Sequence, residues 1–177
     1  MTVYTYDLEF LEDGRTIELI SIGIVCEDGR EYYAVNREMP VRRIRKRAWL
    51  MENVVPSLPR AHGDRRFTMP RRWLFDYASP LVKKRAVIAD EVREFLLVTG
   101  EAQLWADYGA YDHVALSQLW GKMIDLPKGL PMFTRDIEQA IDDVPGFVKP
   151  EQTVGQHNAL EDARHNMRVL KALGRVA

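Results

Sequence analysis

Residues 3–35 read VYTYDLEFLEDGRTIELISIGIVCEDGREYYAV, and this segment predicts the centre of a β-sheet. Apolar, aromatic and β-branched residues dominate three runs within it, which we interpret as strands at Val3–Tyr6, Thr16–Cys26 and Glu31–Val35. Asp-Gly pairs at Asp13 and Asp28 separate these runs, and Asp-Gly between strand-like runs is typical of β-hairpins. The segment therefore predicts an antiparallel meander of three strands.

Beyond the meander, the sequence predicts helices that alternate with further strands. The predicted elements are helices at about Arg42–Val54 and Pro80–Val98, a strand at Ala102–Ala106, a helix at about Asp112–Trp120, an edge strand at Pro131–Phe133, and helices at about Arg135–Asp142 and Ala159–Leu173. This order predicts an α/β fold, in which a mixed sheet of antiparallel and parallel strands is flanked by helices.

Length and composition limit the class of protein. With 177 residues, 46% of them hydrophobic, the chain is expected to form a single domain over residues 1–177. We find no secretion signal and no apolar run long enough to span a membrane, so a cytoplasmic location is expected. Cys26 is the only cysteine and lies in an apolar run, which predicts a buried structural thiol.

The charged residues are distributed unevenly. Residues 37–85 contain 14 of the 25 Lys and Arg but only 4 of the 26 Asp and Glu, so we interpret them as a basic insertion of helical and irregular structure. Five aromatic residues lie among these charges: Trp49, Phe67, Trp73, Phe75 and Tyr77. A basic groove with stacking platforms for a nucleic acid fits this pattern. A solvated helix face whose aromatic residues belong to the core fits it as well.

Four acids and one histidine fall near the ends of predicted elements. Asp7 and Glu9 are two apart on the first strand, so both point to the same face, and two close carboxylates repel each other unless a cation neutralises them. Asp112 follows the fourth strand, and Asp162 lies in the last helix, five residues after His157. Each also has a structural explanation: a surface pair for the first two, a helix N-cap for Asp112, and a favourable helix dipole for Asp162.

Three motifs, taken in order, resemble those of the DEDDh 3'-to-5' exonucleases of the ribonuclease-H-like superfamily. DLE at 7–9 with IELISIG at 17–23 is similar to the first motif, Tyr111-Asp112 to the second, and HNALEDA at 157–163 to the third. Within this family, YDLEFLEDGRTIELISIG, GREYYAV and GAYDHVALSQLWG are most similar to actinobacterial polyadenylate-specific exoribonucleases of the ribonuclease AS type. The resemblance covers nearly the whole chain and implies a ribonuclease-H-like fold.

The resemblance also implies a set of site residues. Asp7, Glu9, Asp112 and Asp162 would bind two metal ions, and hard oxygen ligands suit Mg²⁺ or Mn²⁺. His157 would act as general base, since a histidine is largely neutral near pH 7. The 3'-terminal base would lie against residues that follow the first motif and begin the second strand: Phe10, Leu11, Ile17 and Glu18.

By the same resemblance, the substrate is single-stranded RNA with a 3' end, with poly(A) preferred and AMP released. A homodimer is also implied, with Trp49 and Trp73 on its shared surface. Two other functions remain open: a general 3'-to-5' exonuclease of single-stranded DNA or oligonucleotides, and a non-catalytic nucleic-acid-binding module that uses residues 37–85. The chain departs from the family in having Asp107-Tyr108 where His-Asn is common, so Asp107 is a second candidate for the role given to Asp112.

Overall fold

The computed structural model describes residues 1–61 and 73–176. The main elements, in chain order, are β1 Thr2–Glu12, β2 Ile17–Cys26, β3 Glu31–Asn36, α1 Val41–Ile44, α2 Ala48–Asn53, a 3₁₀ turn Val55–Ser57, β4 Val82–Lys83, α3 Arg85–Leu97, β5 Ala102–Ala106, α4 Ala110–Ser117, 3₁₀ turns Gln118–Trp120 and Met123–Asp125, β6 Arg135–Asp136, α5 Ile137–Asp142 and α6 Ala159–Ala172.

The described strands form one mixed six-stranded sheet in the order β4-β3-β2-β1-β5-β6. β1 to β3 are antiparallel, whereas β4, β5 and β6 each run parallel to the strand they join. The predicted fold class, an α/β fold with a three-stranded meander extended by parallel strands and flanked by helices, is confirmed. It is consistent with a ribonuclease-H-like sheet.

β1 is the longest strand, and it extends well beyond the predicted Val3–Tyr6. Its parallel pairing with β5 ends at Thr5 and Trp105, while its antiparallel pairing with β2 continues to Glu12. Asp7 and Glu9 therefore lie inside the strand, on the part that projects past β5, and not at the strand end as predicted. The alternation of β1 is as expected, because Tyr6 and Leu8 join the hydrophobic core on one face of the sheet.

Helices cover both faces of the sheet. On one face, Ile88 and Val92 of α3 and Leu116 of α4 pack against the even-numbered residues of β1. On the other face, α5 and α6 form a smaller core with Val3 and Trp105. Cys26 is buried in the first of these cores, as predicted. Among the described residues, no helix has the length and apolar character needed to cross a membrane.

The first part of the basic insertion packs on the sheet and forms its own core. Leu50, Met51 and Val54 are buried against Ile20 and Val35 of the sheet. The predicted helix Arg42–Val54 is interrupted, because α1 and α2 are separate and Arg45–Arg47 are not helical. The break falls at three consecutive basic residues, Arg45 to Arg47, which offer no apolar side chain to hold a continuous helix on the sheet.

The aromatic residues of the insertion divide between core and surface. Trp73 and Phe75 are buried, so for them the core interpretation is correct and the stacking-platform interpretation is wrong. Trp49 and Tyr77 are exposed. Phe67 lies outside the described residues.

Three predicted elements differ from the structure because of strand pairing. The predicted helix Pro80–Val98 begins only at Arg85, because Val82 and Lys83 pair with β3. The predicted edge strand Pro131–Phe133 is wrong: Phe133 is exposed, and the edge strand is β6, which pairs with Trp105 and Ala106. Asp136 then caps α5, so the helix predicted from Arg135 starts at Ile137.

Helix α6 lies unusually close to the sheet at Gly23. A Cβ atom added to Gly23 would lie 2.3 Å from the Ala159 carbonyl oxygen and 2.4 Å from Leu160 Cα, so backbone meets backbone there. Two side-chain hydrogen bonds fix the helix to β1: Thr5 Oγ1 donates to the Ala163 carbonyl at 2.7 Å, and Asn166 Nδ2 donates to the Tyr6 carbonyl at 3.4 Å. The position of α6 is therefore set by the missing side chain of Gly23.

We expect Gly23→Ala to destabilise the protein by about 3 kcal/mol or more, because the clashing atoms belong to the backbone and cannot rotate away. Chemical denaturation measures the loss. The matched control is Gly14→Ala in the first hairpin, where an added Cβ meets nothing within 4 Å and only the positive φ of 83° is penalised, at about 1 to 2 kcal/mol. Equal losses in the two variants would contradict the proposed clash.

Candidate active site

Four segments meet where β1 projects past the end of β5. β1 carries Asp7 and Glu9 just beyond the last residue paired with β5. The loop after β5 leads into α4, which has Asp112 in its first turn. The loop before α6 carries His157, and the first turn of α6 contains Asp162. Ligand sites are common at the carboxyl ends of parallel strands, where chains diverge and leave a crevice.

The structure brings three of the five predicted site residues into one tight group. One ligand atom each from Glu9, His157 and Asp162 lies within 4.8 Å of the other two. Among the described residues this group of acids and histidine is close enough to share a metal ion. Gln152, a residue that sequence reasoning missed, donates from Nε2 to Asp162 Oδ1 at 2.6 Å and holds that carboxylate.

Asp112 reaches the same region from the other side of β1. Its Oδ1 accepts a hydrogen bond from the Leu8 backbone N–H at 2.8 Å, between Asp7 and Glu9 in the chain. The N-cap of α4 is Gly109, so Asp112 does not occupy the capping position that offered a structural explanation for it. Asp112 is buried, and it ties the start of α4 to the acidic part of β1.

Burial raises the pKa values of all four carboxyl groups, and repulsion from other members of the group adds to the rise for Asp7, Glu9 and Asp112. Burial is the largest cause for each of them. The pKa of Glu9 rises from 4.5 to about 8, with further contributions from Asp162 and Asp112. The pKa of Asp112 rises from 3.8 to about 7, although the Leu8 N–H opposes the rise. The pKa of Asp7 is raised well above 3.8 by burial, then by the charges of Asp112 and Glu9.

This donor set fits divalent cations with a preference for oxygen ligands. Four carboxyl groups share one region, and their raised pKa values show that ionising all of them together is unfavourable. A bound cation would offset their negative charge. Carboxylate-rich sites suit Mg²⁺ or Mn²⁺. The residues that could hold such ions are Asp7, Glu9, Asp112 and Asp162, with His157 beside them.

His157 lies just before the helix and not within it. Asn158 is the N-cap of α6, and its side chain accepts from the backbone N–H groups of Leu160 and Glu161. His157 has a φ of +61°, which is uncommon for a residue other than glycine. Two of its contacts come from the basic insertion. The Trp49 and His157 ring centroids are 4.8 Å apart, and Ser57 Oγ, which donates to the Val54 carbonyl at 2.7 Å, lies 3.2 Å from the His157 carbonyl oxygen. No local pattern of residues predicts either contact.

Asp107 lies at the border of the acidic group and is neutralised by a different partner. Lys149 Nζ is 2.7 Å from Asp107 Oδ2 and 2.5 Å from Glu138 Oε1. The charge of Asp107 nevertheless contributes to the raised pKa values of Asp7 and Asp112. Asp107 thus adds negative potential to the site, whereas Asp112 makes the direct contact with β1.

A pocket of about 310 Å³ adjoins the His157 side of the site. Its walls are Phe10, Leu11, Glu12, Arg47, Trp49 and Leu50. Two of the four predicted substrate residues, Phe10 and Leu11, line it, although Leu11 is almost wholly buried. The other two do not: Ile17 packs on the core, and Glu18 is ion-paired with Arg43. Phe10 also stacks on the exposed ring of Tyr111, with ring centroids 6.2 Å apart.

Comparison with known proteins identifies the family. No protein-family model matches the chain. Two 3'-5' exoribonucleases of Mycobacterium tuberculosis, from strains CDC 1551 / Oshkosh and ATCC 25618 / H37Rv, are each 44% identical to it over 167 residues, covering 93% of this chain and 89% of the relative. The chain belongs to the 3'-5' exoribonuclease family. In this member of the family, the crevice beside Asp7, Glu9 and Asp112 is the strongest candidate for the active site.

The raised pKa of Glu9 makes the stability of the metal-free protein depend on pH. Between pH 4.5 and about 8 the folded protein keeps the Glu9 proton that the unfolded chain releases, so stability present below pH 4.5 is lost as the pH rises through about 8. In chelator, we expect Glu9→Gln to melt above the parent protein by a margin that grows across this range, reaching roughly 5 °C. Mg²⁺ or Mn²⁺ should reduce the margin at the upper end.

The matched control for this measurement is Glu94→Gln, on the exposed side of α3. Burial lowers the pKa values of His113 and His165, whose titration makes stability rise with pH over the same range. The difference between variant and parent at each pH is therefore the informative quantity. A difference that stays constant with pH would contradict the assignment to Glu9.

Proposed function

We propose that this protein is a metal-dependent 3'-to-5' exoribonuclease that removes nucleoside 5'-monophosphates from the 3' end of single-stranded RNA, with a preference for poly(A). The observation that carries the proposal is the convergence of Glu9, His157 and Asp162, whose ligand atoms lie within 4.8 Å of one another, in a member of the 3'-5' exoribonuclease family. Both relatives are named as 3'-5' exoribonucleases.

The carboxylates have the role of holding cations. Asp7, Glu9, Asp112 and Asp162 would hold two Mg²⁺ or Mn²⁺ ions between them. Bound there, the ions would neutralise charge on the phosphate and make water a stronger nucleophile. Gln152 keeps Asp162 in place by its hydrogen bond to Oδ1, and the Leu8 N–H does the same for Asp112.

His157 has the role of general base. Its imidazole accepts a proton from the water that attacks the last phosphodiester, and the water oxygen forms the new bond to phosphorus. The bond between phosphorus and the 3' oxygen of the preceding nucleotide breaks, and that oxygen takes up a proton. The products are a nucleoside 5'-monophosphate and a chain one nucleotide shorter with a free 3' hydroxyl.

The surroundings of the site support a single-stranded nucleic acid as substrate. Exposed aromatic rings of Trp49 and Tyr111 lie on either side of Phe10. Rings of this kind stack on unpaired bases, and Arg47 supplies positive charge next to them. The pocket lined by Phe10, Leu11 and Leu50 is partly open to solvent, so an unpaired base at the 3' end would lie against its apolar walls.

Preference for adenine requires directional hydrogen bonds, because stacking alone tolerates every base. Glu18, which the resemblance suggested for this purpose, has its carboxylate engaged by Arg43. Glu12 lines the pocket and offers a carboxylate that can accept from the adenine amino group. Poly(A) preference and release of AMP therefore belong to the proposal mainly through the resemblance.

The proposal predicts that Asp112→Asn will reduce cleavage of 3'-A-tailed RNA by about 100-fold or more. The amide oxygen can still accept from the Leu8 N–H, so the fold and RNA binding should change little. Product lengths on a denaturing gel, with Mg²⁺ and with chelator, measure cleavage, and filter binding measures affinity. Asp90→Asn on exposed α3 is the charge-matched control. RNA binding without metal-dependent cleavage by the parent would favour the non-catalytic module.

Matched oligonucleotides test the choice of substrate. We expect oligo(A) to be degraded at least about 10-fold faster than oligo(U) and oligo(dA) at equal length. Initial rates under single-turnover conditions give the comparison. Equal rates on oligo(A) and oligo(dA) would instead support a general single-strand exonuclease with the same site.

The proposal extends to organisation. We propose a single domain over residues 1–177, a homodimer and a cytoplasmic location. Trp73 is buried and does not contribute to a dimer surface, whereas Trp49 and Tyr77 remain exposed. Light scattering at working concentration distinguishes a dimer from a monomer.

A further inference from the structure

Two contacts of His157 come from the first part of the basic insertion. The indole of Trp49 meets the imidazole with ring centroids 4.8 Å apart and an interplanar angle of 75°, an edge-to-face arrangement. Ser57 Oγ, which donates to the Val54 carbonyl at 2.7 Å, also lies 3.2 Å from the His157 carbonyl oxygen, across 100 residues of sequence. A segment remote in sequence therefore touches both the ring and the backbone of the residue that we place as general base.

His157 needs such support because its own segment provides little. Residues 143–158 contain no helix or strand, and His157 itself has φ of +61°. A non-glycine residue in this conformation is disfavoured by about 1 kcal/mol or more. The N-cap bonds of Asn158 fix the start of α6, but they begin one residue after the imidazole. External contacts therefore determine where the ring points.

The helix that carries Trp49 is anchored on the sheet. Leu50 and Met51 on the same helix are buried against Ile20 and Val35 of the sheet. Trp49 itself is 54% exposed, so a large apolar ring is left at the surface where it contributes little to the core. An exposed tryptophan that a rigid helix holds against an imidazole favours a functional explanation.

Trp49 also lines the pocket of about 310 Å³ that contains Phe10 and Leu11. A single side chain thus contacts both the general base and the space that we assign to the terminal base. We propose that Trp49 is a positioning residue for His157, and that a base bound in this pocket restrains the indole and so fixes the imidazole for proton transfer. The inference rests on the proposed exoribonuclease function.

A double-mutant cycle tests the inference. Trp49→Ala should lower the single-turnover rate on 3'-A-tailed RNA by about 10- to 100-fold, because small misplacement of a general base has large effects. Trp49→Phe, which keeps an aromatic edge, should retain most of the rate. In a His157→Ala background, Trp49→Ala should lower the residual rate less than 2-fold, since the group it positions is gone.

Several controls keep the result interpretable. Phe133→Ala removes an equally exposed aromatic ring elsewhere and should leave the rate unchanged. Ser57→Ala removes the second contact. We expect it to lower the rate less than Trp49→Ala does, and to have no effect in the His157→Ala background. This variant supplies the cycle if Trp49→Ala does not fold, which thermal melting reports. The imidazole resonances of His157 in NMR spectra should shift in Trp49→Ala and not in Phe133→Ala, a readout that needs no activity.

Two outcomes overturn the inference. If Trp49→Ala retains its full loss in the His157→Ala background, the indole acts only by stacking on RNA. If the rate or the imidazole resonances do not respond to Trp49→Ala, the contact has no role in positioning. Absence of RNA cleavage by the parent protein would refute the proposed function itself. If the parent cleaves RNA but the effects of Trp49→Ala and His157→Ala are additive, only the role of Trp49 is refuted.

Discussion

The close approach of α6 to β2 at Gly23 is the constraint on which the site depends. Gly23 pairs directly with Asp7 in the antiparallel ladder, so the helix start lies over the acidic part of the sheet. Because backbone touches backbone there, the first turn of α6 brings Asp162 close to Glu9. Any larger residue at position 23 would lift the helix and separate the two carboxylates. Packing at one glycine thus determines a distance that the chemistry requires.

The same packing creates an electrostatic cost. Four carboxyl groups are held close together and are largely buried. Their raised pKa values show that it is unfavourable to ionise all of them without a bound cation. The hydrophobic cores on both faces and the hydrogen bonds of Thr5 and Asn166 hold α6 in place against this repulsion. Sites that concentrate charge at the expense of stability are typical of metal-binding and catalytic centres.

The sequence predicted the features that follow from local pattern. Asp-Gly turns and apolar runs located the meander, and the two-residue spacing of Asp7 and Glu9 placed them on one face. The predicted start of α6 at about Ala159 is confirmed, and the structure shows that Asn158 caps the helix there. Features that depend on distant partners were not predictable in this way. No sequence pattern separates Trp73, which is buried in the core, from Trp49, which is exposed at the surface.

Strand pairing explains the remaining differences. Val82–Lys83 and Arg135–Asp136 are too short to show a period of two, and they become strands only because β3 and β5 offer free edges. The ion pair of Lys149 with Asp107 likewise joins residues far apart in sequence, and no local signal links them.

The basic insertion has a structural role beyond its charge. Its buried residues extend the sheet core, and that core carries Trp49 and Ser57 to the loop before α6. The loop before α6 has an irregular backbone, and His157 in it has a positive φ. Without these contacts, that backbone alone would position the imidazole. The packed segment also forms one wall of the pocket, so the pocket and the position of His157 share a single support. Hydrophobic packing, and not the basic charge, therefore connects the insertion to the candidate active site.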